Sequence, residues 1–489
     1  MALSSATINT HVKEVEYAVR GPIVARAGEI DADLKKGAGS YPFKNVIFCN
    51  IGNPQALQQK PLSFPREVLA LLTAPELLEH PKSAEVFAPD ALTRAKVALP
   101  KMGGTGAYTH SAGYDWVRQT VASYIQARDN NAAGKELGPA DPNAIFLTNG
   151  ASPGVQMTLQ CLINSPSDGI MTPIPQYPLY TATITLMNGS CVPYYLDESK
   201  AWGMTTDDLS KAYDDAKSKG ITPRALVVIN PGNPTGQVLE PAAMADVVKW
   251  AHSRNVMLLA DEVYQENVYA PGKTFRSFRE IMLGLGEPYS KEVQLASFHT
   301  TSKGIHGECG RRGGYTEFIN VPQDVMDIFI KLPSINLCPN LAGQVMVDLM
   351  LSPPKAGDAS FESYTKEYND IYQSLKRRAL LLVDGLNKIE GIRSNAVEGA
   401  MYAFPSLKLP SKFVDEAKAK GKPADTLWCA RLLEEQGVVV VPGSGFGQVA
   451  GTYHFRTTIL PPEEQMADMV SRIANFQKSI IAKYGPVEA

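Results

Sequence analysis

The chain has 489 residues, room for about three compact units or two larger ones of the α/β kind, which excludes a small scaffold stapled by disulfides or metal. Its 47 Lys and Arg against 50 Asp and Glu leave a net charge of −3, so no global field draws it to nucleic acid or anionic lipid. No apolar stretch approaches the ~18 residues of a membrane span, and the partners expected are small molecules or a second copy of the chain.

Six cysteines, with no C-x-x-C pair, fit reduced thiols better than a disulfide framework. The seven histidines include no H-E-x-x-H, so a metal site is not expected. The first twenty residues lack an apolar h-region and carry no arginine before Arg20, and the end, GPVEA, is not a peroxisomal tripeptide. Cytoplasm is the expected compartment, or the mitochondrion if a leader precedes this sequence.

Residues 1–65, rich in Gly, Pro and polar residues, are expected to contribute to a smaller domain and to dimer contacts. From Ala144 onward, short β-rich runs alternate with helical segments: AIFLTNG, GIMTPIP, CVPYYLD, RALVVIN, NVMLLAD, VQLASFH and GGYTEFI. Alternation of this kind predicts a largely parallel sheet covered by helices. Met244, Val247, Val248 and Ala251 recur at i, i+3, i+4 and i+7, the buried stripe of one covering helix. After Pro353 a long helical stretch around Glu362 to Lys388 leads into GAMYAFPSL, GVVVVPG and TYHFRTTIL. The division expected is an α/β domain over 66–355 and a smaller α+β domain over 356–489.

In open α/β sheets ligands collect at the carboxyl ends of the strands, so the loops there carry the argument. TNGASPG places small residues and Ser152 at a helix start, where free N–H groups suit a phosphate, although plain N-capping explains one such turn as well. PIPQYPLY offers Tyr177 and Tyr180, either of which could stack on a flat ring or simply fill the core. In NPGNPTG, Asn233 lies between prolines and can hydrogen-bond a phenolic oxygen. In LLADEVY, Asp261 ends an apolar strand and needs a cation or a cap, with Tyr264 three residues on. In SFHTTSKGIHGECGRRGGY, Lys303 sits among glycines that let backbone approach a ligand, and a lysine desolvated there can attack a carbonyl. Thr300, Ser302 and Arg312 of that segment suit a dianionic phosphate. A phosphate cradle, a stacking ring, partners for a ring oxygen and a ring nitrogen, and an amine for an aldehyde together match the groups of pyridoxal phosphate.

On these motifs, with NIGNPQ, GAYTHSAG, EGAMYAFP and VPGSGFGQ, the chain resembles the fold type I pyridoxal-phosphate aminotransferases over nearly its whole length. It is most similar to the alanine aminotransferase branch, which includes the glutamate:glyoxylate enzymes. The 28 positions from Asn233 to Asp261 and the nine from Lys303 to Arg312 match that pattern. The resemblance implies a large domain with a mostly parallel seven-stranded sheet and a smaller α+β domain. It also implies pyridoxal 5′-phosphate held as a Schiff base on Lys303, with Asp261 on the ring nitrogen, Asn233 and Tyr264 on the ring oxygen, and Tyr177 on the ring face. Ala151, Ser152, Thr300, Ser302 and Arg312 would hold the phosphate, joined by Tyr108 from the neighbouring subunit of a homodimer. Arg456, with Gly52 and Asn233 beside it, would bind the substrate carboxylate. Two features depart from the pattern: Ile305-His306 stands where relatives carry an aromatic pair, and Arg311 beside Arg312 gives the phosphate two candidates.

The activity implied is transfer of an amino group from L-alanine to 2-oxoglutarate in a ping-pong cycle, giving pyruvate and L-glutamate. The alternatives are glutamate:glyoxylate transamination, β-elimination or decarboxylation on the same cofactor, and a binding protein that keeps the fold without catalysis.

Overall fold

The computed structural model describes residues 2–487. Each of the seven β-rich runs forms a strand: β1 (Ile145–Thr148), β2 (Asp168–Ile174), β3 (Ser190–Tyr195), β4 (Thr222–Ile229), β5 (Met257–Asp261), β6 (Leu295–Thr300) and β7 (Gly314–Ile319). They make one sheet in the order β1-β7-β6-β5-β4-β2-β3, with β7 antiparallel to both its neighbours and the other pairings parallel. β5 and β6 are buried at every residue, which is why their sequences run apolar without alternation.

Helix α1 (Ala151–Leu162) follows β1, α2 (Leu179–Leu186) follows β2, and α3 (Pro241–Arg254) joins β4 to β5. Met244, Val247, Val248 and Ala251 of α3 are buried as their spacing predicts. The register sets Ile229 beside Asp261 and Asp261 beside Phe298, so the loops after β4, β5 and β6 leave the sheet at one level. Three separate sequence segments thereby converge on one crevice.

Helix α4 (Phe361–Leu386), about 39 Å long at 1.5 Å per residue, leads into the second unit. There β8 (Tyr402–Ala403), β9 (Val441–Pro442) and β10 (Phe455–Thr458) form an antiparallel sheet with β10 central, packed with α5 (Ala424–Gln436) and α6 (Glu463–Tyr484). Trp428 stacks on Phe455 and meets Phe476 edge-on at the centre of its core. The run GVVVVPG, read as one strand, is divided: Val438–Val439 pairs in parallel with Ile47–Phe48, while β9 turns to pair with β10. All four valines are buried, so hydropathy holds no mark of the break. Through this pairing, and through Ala27, Ile30 and Val46 packed with Leu433 and Val439, the N-terminal segment lies against the second unit. Among the described residues no helix is long and apolar enough to cross a membrane.

Candidate active site

A cleft of about 470 Å³ opens where the carboxyl edge of the large sheet faces β10 and residues 51–53. Twelve of the thirteen residues singled out in the sequence line it: Gly52, Ala151, Ser152, Tyr177, Asn233, Asp261, Tyr264, Thr300, Ser302, Lys303, Arg312 and Arg456. A wider groove, about 760 Å³, runs between α4 and α6 along Val470, Ala474 and Ile481, remote from these groups.

Asp261 ends β5 and is 5% exposed. One carboxylate oxygen, Oδ2, accepts from Tyr180 Oη at 2.8 Å; the other, Oδ1, is buried without a partner. Burial pushes this carboxyl up to about 6, against the Tyr180 hydrogen bond, the Val263 N–H and the Lys303 charge, which pull it down. The ionised form therefore lacks one donor or cation, and Oδ1 is where it would bind. Tyr180, one of two tyrosines the sequence left between ligand and core, braces the acid from the core side.

Asn233 and Tyr264 meet as their motifs suggest: the Asn233 amide Nδ2 lies 3.4 Å from Tyr264 Oη. Tyr264 in turn donates to Tyr402 Oη at 3.2 Å. Tyr402 lies in EGAMYAFP, where nothing in its spacing separates a site tyrosine from a core one. Burial raises its phenol, yet the charges of Lys303 and Arg456 outweigh that and leave it below its ordinary value. Arg456 is 1% exposed. Its guanidinium lies over the Tyr402 ring at 4.3 Å and the Phe446 ring at 4.6 Å, donates to Asn233 Oδ1 at 3.1 Å and to the Asn50 carbonyl at 2.5 Å, and leaves Nε unpaired. A buried guanidinium lying over two rings and bonded to neutral oxygens, with no carboxylate in contact among the described residues, suits an external anion.

Lys303 Nζ donates to the Gly52 carbonyl at 2.5 Å. Gly52 is required by close approach: a Cβ there would meet the Tyr402 hydroxyl and come within 3.1 Å of Lys303 Nζ. The loop bearing Lys303 is fixed from behind, where Glu266 accepts from the Ile305 N–H at 3.0 Å and Asn267 donates to the Gly304 carbonyl at 3.4 Å. The unusual pair is packed away here: Ile305 is fully buried, and His306 faces Glu266 at 3.8 Å. Although burial raises the Glu266 carboxyl, His306, the His299 charge and the Ile305 N–H together outweigh it, and the group ends below its ordinary value.

At the other end of the cleft, Gly150 adopts φ 92°, a left-handed value that favours glycine, and precedes α1 with no side-chain cap on the helix. The N–H groups of Ala151 and Ser152 are thus free to face an anion. Arg312 crosses above them, donating to the carbonyls of Asn149 at 2.9 Å and Cys309 at 2.8 Å, with Ser302 Oγ 3.5 Å away. Its own backbone is left-handed at φ 56°, and Asn340 holds its carbonyl at 2.9 Å. Thr300 Oγ1 links to Ser302 Oγ at 3.1 Å. Arg311 pairs instead with Glu308 at 3.8 Å and does not line the cleft.

Tyr177 flanks the cleft, its hydroxyl 2.5 Å from that of Tyr17 and the two rings edge to face. Tyr17 comes from the N-terminal segment, which local pattern could not assign to any site. Tyr108 is 76% exposed on the loop before the helix Asp115–Ala133 and does not reach its own chain's cleft.

The residues present fit pyridoxal phosphate. The unpartnered, buried Oδ1 of Asp261 suits a protonated ring nitrogen, Tyr264 and Asn233 suit a ring oxygen, and the uncapped start of α1 with Arg312 suits a phosphate. Lys303 lines the same crevice as Asp261 and bears on its charge.

Residues 83–473 match the family model "Aminotransferase class I and II". The chain is 50% identical to alanine aminotransferase 1, mitochondrial, of Arabidopsis thaliana, over 98% of this chain and 87% of that protein. It is 47% identical to glutamate–glyoxylate aminotransferase 1 of Arabidopsis thaliana, over 99% and 97%. Among solved structures, an alanine aminotransferase from Pyrococcus furiosus superposes with a TM-score of 0.74 at 25% identity, over 96% of this chain and 99% of that one.

Proposed function

The chain belongs to the class I and II aminotransferases, and from that premise we propose that it moves the amino group of L-alanine to 2-oxoglutarate, yielding pyruvate and L-glutamate. It is an enzyme, a transaminase acting on amino acids and 2-oxo acids with pyridoxal phosphate. The observation that carries the reading is the meeting, in one cleft, of an amine at Lys303, a half-satisfied buried acid at Asp261 and a carboxylate-ready guanidinium at Arg456.

When bound, pyridoxal phosphate supplies an aldehyde for the amino group and a cationic ring that takes up the electrons released at the substrate Cα. Asp261 Oδ1 would hold the proton on the ring nitrogen, and Tyr180, donating to Oδ2, favours the ionised acid and orients it. Asn233 and Tyr264 would hold the ring oxygen, Tyr177 would lie beside the ring, and Ala151, Ser152, Thr300, Ser302 and Arg312 would hold the phosphate. Arg456 clamps the substrate carboxylate and so fixes the direction of the Cα–H bond. Lys303 Nζ, released from the Gly52 carbonyl, would take the proton from the substrate Cα as general base and deliver it as general acid to the former aldehyde carbon. Because Arg456 comes from β10 and Lys303 from the end of β6, substrate ties the unit of residues 356–489 to that of residues 66–355, with Gly52 of the N-terminal segment between them.

Tyr108, exposed and outside its own cleft, is assigned to the phosphate of a second copy in a homodimer. Size measurement with a Tyr108→Phe titration of cofactor affinity tests that assignment. Six free cysteines suit residence in a reducing compartment, cytosol or mitochondrion.

The deciding experiment mixes the cofactor-loaded protein with L-alanine in a single turnover: stoichiometric pyruvate is expected, and its absence overturns the reading. Identity of 47% to a glutamate–glyoxylate aminotransferase favours glyoxylate as the second acceptor to try. Initial rates pairing alanine and glutamate with pyruvate, glyoxylate and 2-oxoglutarate separate the two.

A further inference from the structure

We propose that His454, as an imidazolium paired with Glu198, is a positioning residue for Arg456, an assignment that rests on the transamination reading above. The ring is buried, 2% exposed, where the two units meet. Its Nε2 lies 3.0 Å from a carboxylate oxygen of Glu198, in the turn that follows β3, and its Nδ1 lies 2.9 Å from Oε1 of Gln448. Which amide atom faces the ring is settled from the far side. Gln448 Nε2 donates at 2.9 Å to Oδ2 of Asp425, which also accepts from the Ser444 N–H at 2.7 Å. Both ring nitrogens therefore face acceptors, and only a ring carrying two protons satisfies both.

The pair joins the units. Glu198 belongs to residues 66–355, as does Trp202, which meets the imidazole edge-on at 5.7 Å, while His454 leads directly into β10. Asn395 adds a second tie at the same place, donating to the Glu198 carbonyl at 2.9 Å. Two routes run from the ring to Arg456. One is the backbone: His454 bridges Ser406 in antiparallel fashion just ahead of β10, and residues two apart along a strand share a face. The other is aromatic. His454 stacks on Phe404 at 4.8 Å with the planes 6° apart, Phe404 meets Phe446 edge-on at 5.9 Å, and the Arg456 guanidinium lies over Phe446.

With two protons the ring holds Glu198 and Gln448 together, and β10 keeps Arg456 at the height of the cleft. With one proton, a nitrogen lone pair is turned on an acceptor, the tie between the units loosens, and the guanidinium meets the substrate carboxylate less well. The charged groups about the ring are Glu198 at Nε2, Asp425 one step behind Gln448, the Lys200–Asp197 pair in the same turn as Glu198, and Arg456 two positions on. Substrate binding is therefore strongest while the ring is charged and weakens as pH rises and its proton is lost.

The test is the initial rate with L-alanine on the cofactor-loaded enzyme from about pH 6 to about pH 9. Glu198→Gln keeps an acceptor and removes the charge, and with its side chain 35% exposed the change does not open the core. At the acid end it is expected to raise KM for alanine about 5- to 10-fold with kcat within about twofold, and the difference should close towards the alkaline end, where the unsubstituted ring has lost its own proton. His454→Gln should show the same shift, and the double variant no more than either alone. A readout independent of turnover is the ring C2–H resonance, assigned by its absence in His454→Gln, which should titrate over the same interval as KM and move in Glu198→Gln. A KM penalty of one size at every pH, or a fall in kcat alone, would make the pair purely structural, and an unchanged KM in Glu198→Gln would uncouple it from Arg456; each overturns the proposal. Failure of the parent reading looks different: the unsubstituted enzyme then forms no pyruvate from alanine at any pH, while the ring resonance still responds to Glu198→Gln.

Discussion

Arg456 of β10 and Asn233 of the loop after β4 are tied to each other: Nη1 of the arginine donates to Oδ1 of the amide at 3.1 Å, and the amide nitrogen faces Tyr264 Oη at 3.4 Å. One amide thus contacts both the proposed substrate clamp and the proposed partner of the ring oxygen. Asn233→Ala is expected to lower kcat/KM for alanine by about 10²-fold, since it unfixes two groups at once. Asn233→Asp should do as badly by a different route, pairing with Arg456 and competing with the substrate carboxylate. Steady-state kinetics with pyruvate as a competitive probe distinguishes them, inhibition weakening more in the aspartate variant.

Asp261 makes the apoprotein pH-sensitive. Its carboxyl is raised to about 6, so the folded state holds the proton more tightly than the unfolded chain does. The resulting penalty is absent below about pH 4, grows through the interval up to pH 6 and is complete above it, on the order of 3 kcal/mol at most. Asp261→Asn keeps an acceptor for Tyr180 and removes the buried charge. The apoprotein of that variant should melt higher than the unsubstituted chain at pH 7.5, with the gap closing towards pH 4. The loaded variant should lose roughly 10²-fold or more in kcat. A variant no more stable at pH 7.5 would show that Oδ1 is solvated after all.

Lys303→Ala is expected to reduce pyruvate formation by at least ~10³-fold, the general-base contribution together with the lost nucleophile. Cofactor retention should fall less, because the phosphate contacts of Arg312 and the start of α1 remain. Partial recovery by an added small primary amine would separate lost chemistry from lost folding. Near-normal turnover would remove Lys303 from the mechanism.

Gly52→Ala puts a methyl into the Tyr402 hydroxyl and close to Lys303 Nζ. Overpacking of about 1–3 kcal/mol is expected, felt as a loss of kcat/KM near 10²-fold with only a small change in melting temperature, since the clash lies in the cleft. Adding Tyr402→Phe removes the nearer atom, while Tyr402 Cζ, 2.9 Å from the new Cβ, stays. Recovery in the double variant should therefore be partial. Full activity in the single variant would mean that the 51–53 segment yields freely.

Glu266 lies below its ordinary value because His306, His299 and the Ile305 N–H together outweigh its burial, so its contribution to stability is present at neutral pH and lost as pH falls through the carboxyl range. Glu266→Gln should lower the melting temperature at pH 7.5, with the difference shrinking towards pH 4. It should also slow alanine turnover, since the Ile305 N–H that anchors the Lys303 loop loses a charged acceptor. An unchanged melting curve at both pH values would remove the Glu266–His306 contact from the account.

Sequence alone carried the sheet because its central strands are buried on both faces, and burial of that kind leaves short apolar runs between loops of Gly, Pro and Asn. The same punctuation drew attention to Lys303, Asp261, Asn233 and Arg312, polar groups at strand ends that make poor packing, and the fold brings all four to one cleft. What local pattern could not supply were partners distant along the chain. Tyr180 bracing Asp261, Tyr402 between Lys303 and Arg456, Tyr17 on Tyr177 and the carbonyl of Asn50 under Arg456 are each an ordinary side chain or backbone group in its own segment. They become site residues only when register and packing bring them within hydrogen-bond reach. The division of Val438–Val441 between two pairings was hidden for the same reason: four buried valines look alike until neighbouring strands choose among them. Hydropathy reports whether a residue is buried, and it is the tertiary fold that decides against what.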